Sequence, residues 1–225
     1  MHIPDGFIDL KTSAAFAGVA VVGVGTALRG ARKQLDDQSA PLAGLTAVFI
    51  FAVQMLNFPV AAGTSGHLLG GALAAVLVGP YAASLALTVV LLMQGLLFAD
   101  GGLSALGLNI FNMSIVGVWT GYFVFIFIKK FLSKKKSSII IAGALGAFIS
   151  VPMAAAGFVL EYALGGTATF SVSTVFGAMI GTHVLIGIGE ALITGLTLSA
   201  VLATRPDLVF GYKGSENGLE IRSHA

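Results

Sequence analysis

The chain has 225 residues, of which 56% are hydrophobic and only 10% charged, with a formal net charge of +2 and no cysteine. A soluble domain carries about 25% charge, so this composition excludes a soluble enzyme, a disulfide-stapled secreted domain and a disordered chain, and places most of the surface against lipid. Without cysteine there is no thiolate site, so a metal here must take nitrogen, oxygen or thioether donors.

Taken in chain order with a window of about 20 apolar residues, the sequence predicts seven spans. They lie near 12–29, 42–58, 66–78, 82–98, 107–131, 138–160 and 173–203. Gly79-Pro80 separates the third from the fourth, because the proline interrupts the helix and the glycine permits a tight turn. The fold class expected is an all-α membrane protein. Residues 1–204 form the membrane domain, residues 1–11 an N-terminal segment, and residues 205–225 a cytoplasmic tail. The first apolar stretch lacks a basic segment before it and is followed by Arg29 and Arg32. It therefore reads as a retained helix rather than a cleaved signal, and the mature chain is expected to begin at Met1.

With the N-terminus outside, one face collects the basic residues. These are Arg29, Arg32 and Lys33, then Lys129, Lys130 and Lys134 to Lys136, then Arg205, Lys213 and Arg222. Lys11 alone falls on the other side. Such a bias marks the basic side as cytoplasmic, so the C-terminus is expected inside and the location is a prokaryotic plasma or inner membrane. The basic residues sit at helix ends, where they anchor to headgroups, and give no argument for nucleic acid.

The outer side collects a different set: Met1, His2, Asp5, Asp9, Gln54, Asn57, Thr64, Ser65, His67, Asp100, Asn109, Asn112 and Glu161. Imidazoles, amides and carboxylates with few lysines suit capture of a cation. A free α-amine followed by His at position 2 is a chelator. The Met1 amine, the backbone nitrogen of His2 and the His2 ring close fused rings on one metal, and Ni(II) or Cu(II) favours such a square-planar nitrogen set. The fourth donor would be His67, within Gly63-Thr-Ser-Gly-His67. The ordinary readings stand beside this one: a frayed terminal histidine and a hydrogen-bonded histidine at a helix end.

The supporting residues have their own readings. Asn57, Asn109 and Asn112 are expected to hydrogen-bond the N-terminal segment, since polar groups at that depth need partners. Asp100, in Asp100-Gly-Gly102, is a turn residue or a holder of the site, and Ser65 sits beside His67. Gln54 and Gln94 read as helix–helix hydrogen-bond formers. Met55 and Met113 read as packing residues. His183 and Glu190 lie seven apart on one face of the last span. They read either as a structural hydrogen-bonded pair or as a gating or proton-relay pair. Ala43 with Ala47, and Gly66 with Gly70, have the four-residue spacing that lets helices approach.

The residues also resemble a known family. Met-His-Ile-Pro-Asp-Gly-Phe7, Gln54-Met-Leu-Asn-Phe-Pro-Val60 and Gly63-Thr-Ser-Gly-His-Leu-Leu-Gly-Gly71 look like segments of the substrate-binding S components of nickel and cobalt energy-coupling-factor transporters. So do Gln94 to Gly102, Leu106 to Met113, and Gly181-Thr-His183 with Glu190. The resemblance runs from residue 1 to about residue 200. It implies seven spans, an N-terminal segment tucked into the helical body, and a planar site from Met1, His2 and His67. It implies docking on a membrane T subunit through small-residue faces, and energy from a pair of cytoplasmic ATPases. A small accessory membrane subunit is left open. The Pro4-Asp5 version of the opening is of the nickel type, with Co(II) as the alternative substrate. The chain itself has no Gly-x-x-x-x-Gly-Lys-Ser/Thr phosphate loop.

Two rival functions can be written. Gly63-Thr-Ser65-Gly66 with His183 fits a rhomboid-like intramembrane serine protease, but leaves His2 unexplained. A proton-coupled secondary transporter on His183 and Glu190 would bring internal repeats, and none is evident.

Overall fold

The computed structural model describes residues 1–35, 39–60, 64–133 and 135–212. Lys134, Gly63, Lys213, Arg222 and the rest of the expected tail beyond residue 212 lie outside the described residues. Besides a short 3-10 turn at Pro206–Leu208, the described residues form seven helical segments. They are α1 (Leu10–Gln34), α2 (Ser39–Gln54), α3 (Gly71–Val78), α4 (Pro80–Leu97), α5 (Leu106–Phe131), α6 (Lys136–Gly165) and α7 (Val172–Thr204). Five of them, α1 and α4 to α7, are long and apolar enough to cross a membrane.

The expected third span is the main departure. Residues 66–70 are not helical: β1 (Phe58–Val60) pairs antiparallel with β2 (Thr64–Gly66), and α3 begins only at Gly71. Its eight residues reach about 12 Å, well short of a bilayer core of about 30 Å. Gly66 and Gly70 therefore do not form a helical small-residue pair; Gly70 has φ +75° and turns the chain into α3. An apolar run cannot by itself separate an extended segment from a helix, which is why the hairpin was not expected.

α3 sits at the centre, and all eight of its residues are buried. Gly79, at φ +84°, and Pro80 in the first turn of α4 break the chain after it. Around α3 the long helices pack closely at small residues. A Cβ on Gly121 would lie 2.5 Å from that of Ala72, and one on Gly146 would lie 2.6 Å from the Gly121 carbonyl. The outer faces leave Val21, Leu45, Leu97, Phe127, Leu192 and Leu196 bare, as a lipid-facing surface requires.

Apart from Lys11, at the start of α1, the described basic residues gather at one end of the bundle. Gly30 abuts the Tyr81 ring, Lys129 donates to the Gly211 carbonyl, and Lys136 donates to the Leu202 carbonyl. Residues 205–212, expected to begin a tail, are docked there. Phe210 and Gly211 donate their N–H groups to the Leu77 and Val76 carbonyls, which closes the C-terminal end of α3. The opposite end of α3 carries the His67 segment.

Candidate metal centre

The N-terminal segment threads into the body except at Asp5 and Gly6, which are exposed. Met1, Ile3, Phe7 and Ile8 are buried, and His2 is 4% exposed. An extended segment has no internal partners for its backbone, so neighbouring elements must supply them. Ile3 N–H donates to Asn109 Oδ1 at 2.8 Å, and Asn109 Nδ2 returns to the Ile3 carbonyl at 3.4 Å. Gly102 N–H donates to the same carbonyl at 2.8 Å. Asp5 accepts from the backbone and hydroxyl of Ser104 at 2.7 and 2.6 Å, and these bonds lower its pKa. Thr167 N–H donates to the Phe7 carbonyl, and Asp9 N–H to the Gly165 carbonyl. Asp9 then caps α1 through Thr12 N–H.

This threading brings His2 to His67. Their ring centroids are 4.7 Å apart, with the planes tilted by 30°, and His67 is fully buried. His67 Nδ1 lies 2.8 Å from the Leu68 carbonyl. A carbonyl only accepts, so Nδ1 carries the proton and Nε2 keeps its lone pair. That Nε2 has no hydrogen-bond partner among the described residues.

His2 Nε2 faces Asp100 Oδ2 at 3.5 Å without a hydrogen bond. Burial, with the nearby amine, lowers the His2 pKa to about 3, so the ring is neutral and the contact with Asp100 is not an ion pair at neutral pH. The Met1 amine is lowered to about 4 by burial, with Asp100 pulling the other way. Amine and imidazole are thus held as neutral nitrogen donors. The other edge of the His2 ring is kept clear by Gly101, where a Cβ would come 2.9 Å from Nδ1 and where φ is +92°.

The remaining residues singled out in the sequence fall in three places. Asn57 does not reach the N-terminal segment; its Nδ2 donates to Asp100 Oδ2 at 2.7 Å, so Asp100 is fixed from the α2–β1 side. Asn112 does not reach it either. It donates to Glu161 Oε2 at 2.7 Å, both groups being buried, because Asn109 and Asn112 flank the start of a π-helical stretch, Ile110–Gly117. Such stretches are frequent at functional sites, and no sequence signal marks this one. Ser65 pairs through its backbone with Pro59 in the hairpin, and its side chain lies outside what is described.

His183 and Glu190 do not bond each other. His183 Nδ1 donates to the Met179 carbonyl at 2.7 Å within α7, leaving Nε2 without a partner among the described residues. Glu190 accepts from the backbone after His67. The reading of a hydrogen-bonded pair fails because each side chain finds a backbone partner first. Gln54 bonds the Leu69 carbonyl rather than a helix, and the side-chain amide of Gln94 is buried with no hydrogen-bond partner among the described residues. Met113 is packed in the core, while Met55 is 36% exposed. Sequence reasoning did not pick out the bonds of Ser104 and Thr167 to the N-terminal segment. Small polar residues in loops carry no spacing signal.

Among the described residues no three His, Asp or Glu side chains gather as a metal site.

Similarity to known proteins extends over nearly the whole chain. Residues 2–208 match the family described as CbiM, cobalt uptake substrate-specific transmembrane region. A putative fused nickel transport protein of Archaeoglobus fulgidus is 39% identical over 93% of this chain and 68% of its own length. A putative metal transport protein of Haloquadratum walsbyi is 40% identical, covering 93% and 94%. The cobalt transport protein of Sorangium cellulosum is 33% identical, again over 93% and 94%. A crystal structure of a truncated transition metal transporter superposes with a TM-score of 0.82 at 31% identity, covering 90% of this chain and 99% of the other. None of these supports a protease built on Ser65 and His183.

Proposed function

The chain belongs to the CbiM family of cobalt-uptake substrate-specific transmembrane regions, and on that premise we propose that it captures Ni(II) as the substrate-binding subunit of an energy-coupling-factor importer. It is a multi-pass membrane protein, with five helices long and apolar enough to span. The observation that carries the reading is the His2–His67 ring pair, buried beside the buried Met1 amine. The donors are the Met1 amine, the His2 amide nitrogen, His2 Nδ1 and His67 Nε2. The first three close fused rings, and the fourth comes from the ring whose tautomer Leu68 sets. Four nitrogens in a plane suit Ni(II). Co(II) is the alternative substrate, since relatives of both descriptions match over most of the chain.

The end of the bundle that holds Arg29, Lys129 and Lys136 faces the cytoplasm under the positive-inside bias. The N-terminal segment then opens to the outside, and seven crossings follow, with the β-hairpin and α3 together making the third. Energy for inward release comes from a partner ATPase pair coupled through a membrane T subunit.

One experiment tests the assignment. Two residues are added ahead of Met1 and Ni(II) bound per chain is measured. The chelate predicts near-complete loss, because the amine leaves the ring system while every side chain remains. Undiminished binding overturns it.

A further inference from the structure

The segment between β2 and α3 has no ladder of its own, and buried side chains hold it from both sides. Leu69 N–H donates to Glu190 Oε2 at 2.9 Å, and Gly70 N–H donates to Glu190 Oε1 at 2.5 Å. Across the segment, Gln54 Nε2 donates to the Leu69 carbonyl at 2.6 Å. Leu68 supplies the carbonyl that fixes His67 Nδ1. Gln54, His67, Leu69 and Glu190 are all buried. The backbone of residues 68–70 therefore hangs between α2 and α7, and the His67 ring is bonded to that backbone.

A carboxylic side chain inside a membrane span is costly and marks a function. Glu190 touches neither His2 nor His67 through a hydrogen bond; both of its oxygens are spent on the segment that follows His67. With Gly70 at φ +75°, the segment bends sharply into α3, and its conformation depends on these anchors.

We propose that Glu190, opposed by Gln54, is a positioning residue for the metal site. By gripping the Leu69 and Gly70 amides it sets the Leu68 carbonyl and through it the orientation of the His67 ring. The inference rests on the reading of His67 as a ligand. It also makes α7 the helix whose displacement against α2 would withdraw His67 from a bound metal.

A double-mutant cycle tests this on the full chain in detergent, with Ni(II) alone as probe in competition with a chromophoric chelator. The variants are Glu190→Ala, His67→Ala and the two combined. Glu190→Ala is expected to weaken Ni(II) binding about tenfold to 100-fold, the range for residues that orient a ligand. In the His67→Ala background the same change is expected to cost nothing further, because the residue acts only through His67. X-ray absorption of the Ni(II)-loaded Glu190→Ala protein should show a weaker, more disordered imidazole scattering signal than the parent, with the ligand loosened rather than lost. An equal loss in both backgrounds, or no loss in either, overturns the proposal. If His67→Ala itself leaves Ni(II) binding unchanged, the ligand reading is what has failed. Should Glu190→Ala not fold, Glu190→Gln serves in the same cycle. It keeps the shape but sets an amide N–H against a backbone N–H.

Discussion

His2 and His67, 65 positions apart in the chain, lie with ring centroids 4.7 Å apart in the protein interior. Neither ring is charged when buried without an acidic hydrogen-bond partner, so the pair is two neutral imidazoles side by side. His67→Ala removes the donor that comes from outside the N-terminal chelate. Ni(II) binding is expected to weaken by more than about 100-fold, beyond the effect of residues that only support a ligand. Equilibrium dialysis with radioactive nickel measures it, and an unchanged affinity would remove His67 from the site.

Metal loading should release about one proton at pH 7. Burial keeps the Met1 amine, at about 4, and His2, at about 3, already unprotonated, so only the His2 amide has a proton to lose. Affinity then falls about tenfold per pH unit on acidification, and more steeply near pH 4, where the amine also begins to protonate. Calorimetry in buffers of different ionisation enthalpy counts the protons; a release near two or three would show that the amine is charged before metal arrives.

The same burial ties docking of the N-terminal segment to pH. The amine has a folded value of about 4 against 8.0 when free. Between these limits the docked form binds fewer protons, so stability rises with pH. Docking is therefore most stable above about pH 8, and its stability falls progressively as pH falls toward 4. Hydrogen exchange at the Ile3 amide, followed from pH 8 to pH 5 and corrected for intrinsic rate, should show declining protection. Constant protection across that window would contradict it.

Asn109→Leu removes both side-chain partners of Ile3 in a buried place. Gly102 still serves the Ile3 carbonyl, but leaving the Ile3 N–H unpaired costs about 1–3 kcal/mol, which should loosen residues 1–5 and weaken Ni(II) binding about tenfold or more. Asn109→Asp keeps the acceptor for Ile3 N–H and should recover part of the loss. Equal defects in the two variants would argue against this role.

Gly101→Val places a side chain against His2 Nδ1 at a backbone angle that favours glycine. Ni(II) binding should be lost while the helical content by circular dichroism is retained. Retained binding would mean that His2 does not present Nδ1 to the metal.

Composition and local pattern determined much of this protein. Sparse charge and long apolar runs specified membrane helices, because a helix satisfies its own backbone in lipid and needs only apolar side chains to stay there. Gly79-Pro80 marked the break before α4, since φ and the missing N–H are properties of those residues alone. His at position 2 and His67 stood out as nitrogen donors by residue type. What only the tertiary structure decided are the relations between distant residues. The apolar run at 66–78 is a strand end, a turn and eight helical residues, because Glu190 and Gln54, 120 and 15 positions away from their backbone partners, satisfy an N–H and a carbonyl that a helix would otherwise have used. Asn109 reaches Ile3 while Asn112, three residues on, turns to Glu161. Residue types told which groups need partners; only the packing of the other helical segments around α3 chose which partners they found.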